Sequence, residues 1–136
     1  MRHTNMLFRP IGYILGYLIA ALGALMTIPT VAAFRASDGE TTNMVAALCA
    51  TVFVAGLLIL GFRPDKVELD RRQGFVLTSL VWVGLPLFGA LPLYWSGHGI
   101  DLTDAYFESV SGITTTGSTV LSGLDEMAPS LLLWRS

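Results

Sequence analysis

Residues 101–128 read DLTDAYFESVSGITTTGSTVLSGLDEMA, and the fold turns on how this stretch meets a membrane. Its first part suits a helix over 103–112, with Asp101 or Thr103 as N-cap candidates. Acidic residues sit at the N-terminal end, where negative charge complements the helix dipole. Gly112 stands where such a helix should stop. A helix of that length covers roughly 15 Å, about half of a hydrocarbon core ~30 Å thick. The residues that follow, Thr114-Thr115-Thr116-Gly117-Ser118-Thr119, are poor helix formers and rich in β-branching. Extended at about 3.3–3.6 Å per residue they reach roughly 20 Å, enough to return to the surface the helix left. The pattern predicts a re-entrant half-helix followed by an extended segment.

Irregular backbone at membrane depth survives only where protein buries it or water reaches it. A strand in which Gly117 permits unusual φ/ψ can turn successive carbonyl oxygens toward one axis. Oxygens arranged in this way replace the hydration shell of a cation, which is how potassium-selective filters work. The C-terminus of the half-helix carries the equivalent of about −0.5 charge and would favour a cation at mid-depth. Gly123 gives the outgoing loop room to turn, and Asp125 and Glu126 add negative potential near the mouth. The plain alternative is a polar outer loop that binds nothing. The half-length helix before the run and the spans around it favour a filter. Enzyme chemistry finds little here. A serine-hydrolase elbow needs G-x-S-x-G, and around Ser111 the first glycine is replaced by Ser109. His3 lies in the tail and His98 in an SGHG turn. Cys49 falls mid-span and reads as core packing, and no metal-ligand spacing occurs.

Outward from the loop, charge marks out the rest of the chain. Of 136 residues, 53% are hydrophobic and 13% charged, against about 25% charged in ordinary soluble domains. A net charge of −2 leaves no basic surface for nucleic acid. The single cysteine excludes an internal disulfide, and the apolar excess excludes disorder. Uncharged gaps run over 10–34, 41–62 and 73–100, and each exceeds the ~20 residues that a spanning helix needs. A signal-peptide core of about 7–15 residues is shorter than the first gap.

Lysine and arginine give the orientation. Arg2 and Arg9 lie in the N-terminal tail, Arg35 faces Asp38 and Glu40 in the first loop, and Arg63, Lys66, Arg71 and Arg72 crowd the second. The stretch 96–126 has none, so the N-terminus and the 63–72 loop are expected to be cytoplasmic. Tyr94 and Trp95 should end the third helix at the outer interface. Gly12, Gly16 and Ala20 form a small-residue ridge, read first as packing within the chain and second as a dimer contact. Pro29, Pro86 and Pro92 should kink or end helices.

The segment DAYFESVSGITTTGSTVLSGLDEM, followed by LLLWRS, resembles the first pore loop of TrkH-type potassium uptake proteins in the Trk/Ktr/HKT superfamily. RRQGFVLTSLVWVGLPLFGALPLY is similar to the helix that precedes that loop, and the two earlier spans resemble the N-terminal helix pair of the TrkH branch. The resemblance implies that Thr115, Thr116, Gly117 and Ser118 offer filter carbonyls to K⁺, with Thr114 at the inner end. Thr115 and Thr116 would then be metal contacts through their backbone oxygens. Gly117 would be the filter glycine; in plant relatives a serine there accompanies sodium preference, so glycine points to potassium. K⁺ would be cargo, with no organic cofactor and no enzymatic activity. Implied partners are three further helix–pore-loop–helix repeats, a second copy, a cytoplasmic TrkA-type nucleotide-binding subunit and the lipid of a bacterial inner membrane.

The expected fold is therefore an all-α integral membrane protein with three transmembrane helices, a re-entrant pore half-helix and an extended filter loop. It would form part of a four-repeat channel. Residues 1–72 would form an N-terminal helix pair and 73–136 a first pore repeat. Within that repeat fall an outer helix at 74–95, a pore helix at 103–112, a filter at 114–119 and the start of an inner helix at 129–136. Because the chain stops inside an apolar run at 131–136, a truncated fragment is expected. Two other functions compete with potassium uptake: a small self-assembling tetrameric channel, and a membrane anchor or assembly module that transports nothing.

Overall fold

A computed structural model describes the backbone of residues 2–136 and the side chains from Phe8 onward, so the side chains of Arg2 and His3 lie outside the described residues. The elements are α1 (Arg2–Ala36), α2 (Thr41–Gly61), α3 (Arg71–Trp95), α4 (Leu102–Ile113), a 3₁₀ turn (Leu124–Glu126) and α5 (Pro129–Arg135). No strand occurs among the described residues. Phe8–Ala36, Thr41–Gly61 and Arg71–Trp95 are long and apolar enough to cross a membrane. The fold is all-helical, as the charge gaps predict.

α1 and α2 form a hairpin whose seam is set by small residues. A Cβ at Gly16 would sit 2.9 Å from Ile59 Cγ1 and 3.1 Å from the Ile59 backbone nitrogen, and one at Gly23 would sit 3.2 Å from Val52 Cγ2. The glycine ridge thus serves packing within the chain. Gly23 continues it, while Ala20 is only half-buried. α2 answers with Met44, Ala47, Thr51 and Ala55, all buried. Cys49, expected in the core, is exposed. At 100° per residue it falls on the face opposite Ala47 and Thr51.

The prolines end no helix: Pro10 and Pro29 lie inside α1, and Pro86 and Pro92 inside α3. Each removes only its own N–H, a loss that packed transmembrane helices tolerate. The ends come instead from backbone reversals and caps. α1 gives way at Ser37 (φ 51°) and Gly39 (φ 83°). α3 opens with a capping box, in which the Gln73 N–H donates to the Asp70 carboxylate and the Asp70 N–H donates to Gln73 Oε1 at 2.8 Å; the Arg71 N–H also donates to Asp70 Oδ1 at 2.8 Å. It closes at Trp95, where the Tyr94-Trp95 pair predicts its end.

A buried cluster of Ala33, Met44, Ala90, Leu93, Ala105, Met127 and Leu131 gathers the α1–α2 turn, the end of α3, the start of α4 and the start of α5. Away from it the apolar surface turns outward: Phe34 is 75% exposed and Phe75 78%. Such faces are unfavourable in water and suit lipid or neighbouring helices.

Candidate functional site

α4 runs back along α3. A Cβ at Gly89 would collide with Ser109 Oγ, the Tyr106 hydroxyl donates to the Val83 carbonyl at 3.4 Å, and Trp134 Nε1 donates to the Gly89 carbonyl at 2.8 Å. At 12 residues α4 covers about 18 Å, roughly half of a hydrocarbon core, so it is a half-length helix packed against a span.

The stop differs from the sequence expectation. α4 continues through Gly112 to Ile113, and a Schellman closure ends it: the Thr116 N–H donates to Ser111 O at 3.0 Å and the Thr115 N–H to Gly112 O at 3.1 Å. This places Thr115 in the left-handed region at φ 54°, a position glycine usually fills. Thr114 Oγ1 donates to Val110 O at 2.7 Å and lies 2.7 Å from Thr116 Oγ1.

From Thr116 to Gly123 the chain adopts no regular secondary structure and pairs with no ladder. The buried polar side of α4 holds it. Ser111 Oγ donates to the Ser118 carbonyl at 2.7 Å. Glu108, only 3% exposed, accepts at Oε1 from Thr119 Oγ1 at 2.6 Å and from the Val120 N–H at 2.8 Å. Its other oxygen, Oε2, accepts from Arg135 Nε at 2.7 Å. Among the described residues no donor reaches the carbonyl oxygens of Thr115, Thr116 or Gly117, and all three residues are exposed. Gly117 has φ 73° and Gly123 φ 72°, so both glycines occupy backbone regions that other residues avoid.

Thr114 to Ser118 thus lie together along the tip of α4 and the limb leaving it. Asp125 and Glu126 are exposed in the 3₁₀ turn beyond. His98 Nδ1 lies 3.0 Å from the Ser96 carbonyl and 3.7 Å from Glu40 Oε1, in the turn after α3, and the residue shares a cleft with Leu121, Ser122 and Gly123 rather than with Thr114 to Ser118. No group of three or more His, Cys, Asp or Glu suited to a metal ion occurs among the described residues. Sequence reading passed over Glu108, Ser111 and Arg135 as parts of the site. The available signal was an arginine in an apolar run and a glutamate on a half-helix, since an intramembrane charge needs a partner.

Three helices of membrane length, with a half-length helix that hands over to a side-chain-braced loop, define a pore-loop membrane protein. No protein-family model matches the chain. It is 40% identical to the Trk system potassium uptake protein TrkH of Halomonas elongata, over 96% of this chain and 27% of that one. With TrkH of Escherichia coli K12 it shares 37% identity over 94% of this chain and 27% of the relative. The crystal structure of the potassium transporter TrkH from Vibrio parahaemolyticus superposes with a TM-score of 0.87 at 36% identity, covering 94% of this chain and 28% of that one. By sequence and by fold the chain is similar to TrkH-type potassium uptake proteins, and it spans about a quarter of the length of the relatives it matches.

Proposed function

We propose that α4 and the loop at 114–119 form one side of a potassium-selective filter, in a protein that takes up potassium ions across a membrane. The observation that carries this reading is the set of carbonyl oxygens at Thr115, Thr116 and Gly117, which have no protein donor at the end of a half-length helix. At membrane depth such oxygens are costly unless water or a cation reaches them, and rings of them substitute for water around K⁺. Thr114 lies at the inner end. The Ser118 carbonyl gives one lone pair to Ser111 and keeps another for an ion. The C-terminal end of α4 adds negative potential at the same depth. That the relatives are named potassium uptake proteins supports the choice of ion.

One loop supplies one side of a conduit. In this reading residues 73–136 are the first of four repeats, residues 1–72 are an accessory helix pair, and the other sides come from three further loops. The lysine and arginine distribution supports a cytoplasmic N-terminus and 63–72 loop in a bacterial inner membrane. A second copy and a TrkA-type nucleotide-binding subunit complete the assembly. The activity is transport rather than catalysis.

Replacing Gly117 with Ala or Ser in the complete gene product tests this. The protein is expressed in cells lacking their own potassium uptake, and K⁺ and Na⁺ uptake are measured at matched membrane abundance. A side chain forced into left-handed backbone costs about 1–2 kcal/mol, so K⁺ uptake or the K⁺/Na⁺ ratio should fall about tenfold. A membrane anchor would be indifferent to the change.

A further inference from the structure

We propose that Glu108 and Arg135 brace the outgoing limb of the loop and act as specificity-determining positioning residues, an inference that rests on the filter reading above. Little packing holds the loop from behind. A Cβ at Gly117 would meet nothing within 4 Å, and a cleft of about 210 Å³ lined by Ser111, Thr115, Gly117 and Arg135 lies between the loop and the end of α5. The shape of the limb therefore depends on directed hydrogen bonds. Three of them reach it from α4: Ser111 to the Ser118 carbonyl, and the Thr119 hydroxyl and Val120 N–H to Glu108 Oε1.

Glu108 also looks the other way. Its second oxygen holds Arg135 at 2.7 Å, so one carboxylate joins the half-helix, the outgoing limb and the helix that follows. The pair is buried on the glutamate side, with the Glu108 side chain 1% exposed and that of Arg135 21%. In such a setting each charge depends on the other, because removing one leaves an uncompensated buried ion. A carbonyl ring distinguishes alkali cations by how many oxygens it holds out and at what spacing. A limb released from Glu108 would be free to sag into the cleft and lose that spacing. The position of α5 is thereby coupled to ion choice, through side chains that touch no ion.

The test uses the complete gene product, with K⁺ and Na⁺ uptake measured at matched membrane abundance and Gly117→Ala run in parallel. Glu108→Gln keeps an acceptor for the limb and removes the charge. Arg135→Gln removes the opposite charge, and Arg135→Lys retains it. Thr119→Val removes the hydroxyl bond to Glu108, one of the two by which the limb reaches that carboxylate, without disturbing the ion pair. Hydrogen bonds to charged groups are among the stronger ones, so Glu108→Gln and Arg135→Gln should lower the K⁺/Na⁺ ratio about tenfold. Thr119→Val should lower it about threefold, and Arg135→Lys should recover most of the ratio. An unchanged ratio in Glu108→Gln and Arg135→Gln, with only total uptake following protein abundance, overturns the proposal. If those two variants fail to accumulate, an unchanged ratio in Thr119→Val overturns it equally. A shift in Gly117→Ala without any shift in the brace variants defeats the brace alone. Indifference of Gly117→Ala defeats the filter reading itself.

Discussion

The carboxylate of Asp38 accepts a hydrogen bond from the Ser130 N–H at 3.3 Å, joining residues 92 positions apart. Asp38 sits in the turn between α1 and α2, and Ser130 in the first turn of α5. The first N–H groups of a helix have no partner within it, so the turn supplies what α5 lacks, with a charge of the favourable sign. The α1–α2 hairpin is in this way attached to the helix that follows the loop, as well as to α3. Replacing Asp38 with Ala removes a capping acceptor, and such losses typically cost about 1 kcal/mol. We expect a lower melting temperature in detergent for Asp38→Ala and a smaller drop for Asp38→Asn, which keeps an oxygen.

The same carboxyl gives a pH dependence. Burial opposes its ionisation, but hydrogen bonds from Ser130 and from the Glu40 N–H outweigh this and hold it below its ordinary value of 3.8. In that range the unfolded chain binds more protons than the folded one, so stability rises with pH. The contribution is complete above the ordinary value and disappears as pH falls through the lower folded one. Melting temperatures of the unmodified protein and of Asp38→Asn should therefore converge as pH falls below about 3.8. A constant gap between pH 6 and pH 3 would refute the assignment.

The seam of the α1–α2 hairpin ranks its glycines. Although the Cβ of an alanine at Gly12 would come within 2.5 Å of Phe62 Cγ, that neighbour is a half-exposed ring able to swing away. At Gly16 the obstacle includes the Ile59 backbone nitrogen at 3.1 Å, which cannot move without moving α2. Gly16→Ala should thus destabilise more than Gly12→Ala, by about 1–3 kcal/mol, as overpacking does. Gly56 has nothing within 4 Å, so Gly56→Ala should be neutral or stabilising by up to about 1 kcal/mol. Thermal unfolding of the three variants in one detergent checks the order. Equal effects at Gly12 and Gly16 would contradict it.

Much of this architecture is legible in the residues alone, for reasons of length and charge. Uncharged gaps longer than a bilayer give α1, α2 and α3, and a helix too short to cross, followed by residues that resist helix, gives α4 and the loop. What stays hidden depends on facing and pairing. Cys49 could not be placed because nearly every residue of α2 is apolar, so periodicity marks no inner face. The end of α4 is displaced because a Schellman closure selects a backbone conformation, and at Thr115 it overrides the preference for glycine one turn earlier. Glu108 and Arg135 lie 27 positions apart, and only the fold brings them together.

Thr115 offers a separation of stability from function. A β-branched residue in left-handed backbone is a genuine outlier, and the strain costs on the order of 1–2 kcal/mol. The Schellman closure imposes that conformation whichever side chain is present, because its two hydrogen bonds run through the backbone of Thr115 and Thr116. Thr115→Gly should accordingly raise the melting temperature, while Thr115→Ala, which keeps a Cβ, should gain much less. Glycine also frees the residue to leave φ 54° and so loosens the direction of its carbonyl. Uptake by the stabilised Thr115→Gly protein should show a lower K⁺/Na⁺ ratio, the opposite of what a purely structural threonine would give. A variant both more stable and equally selective would mean that the direction of this carbonyl is not part of how the loop chooses its ion.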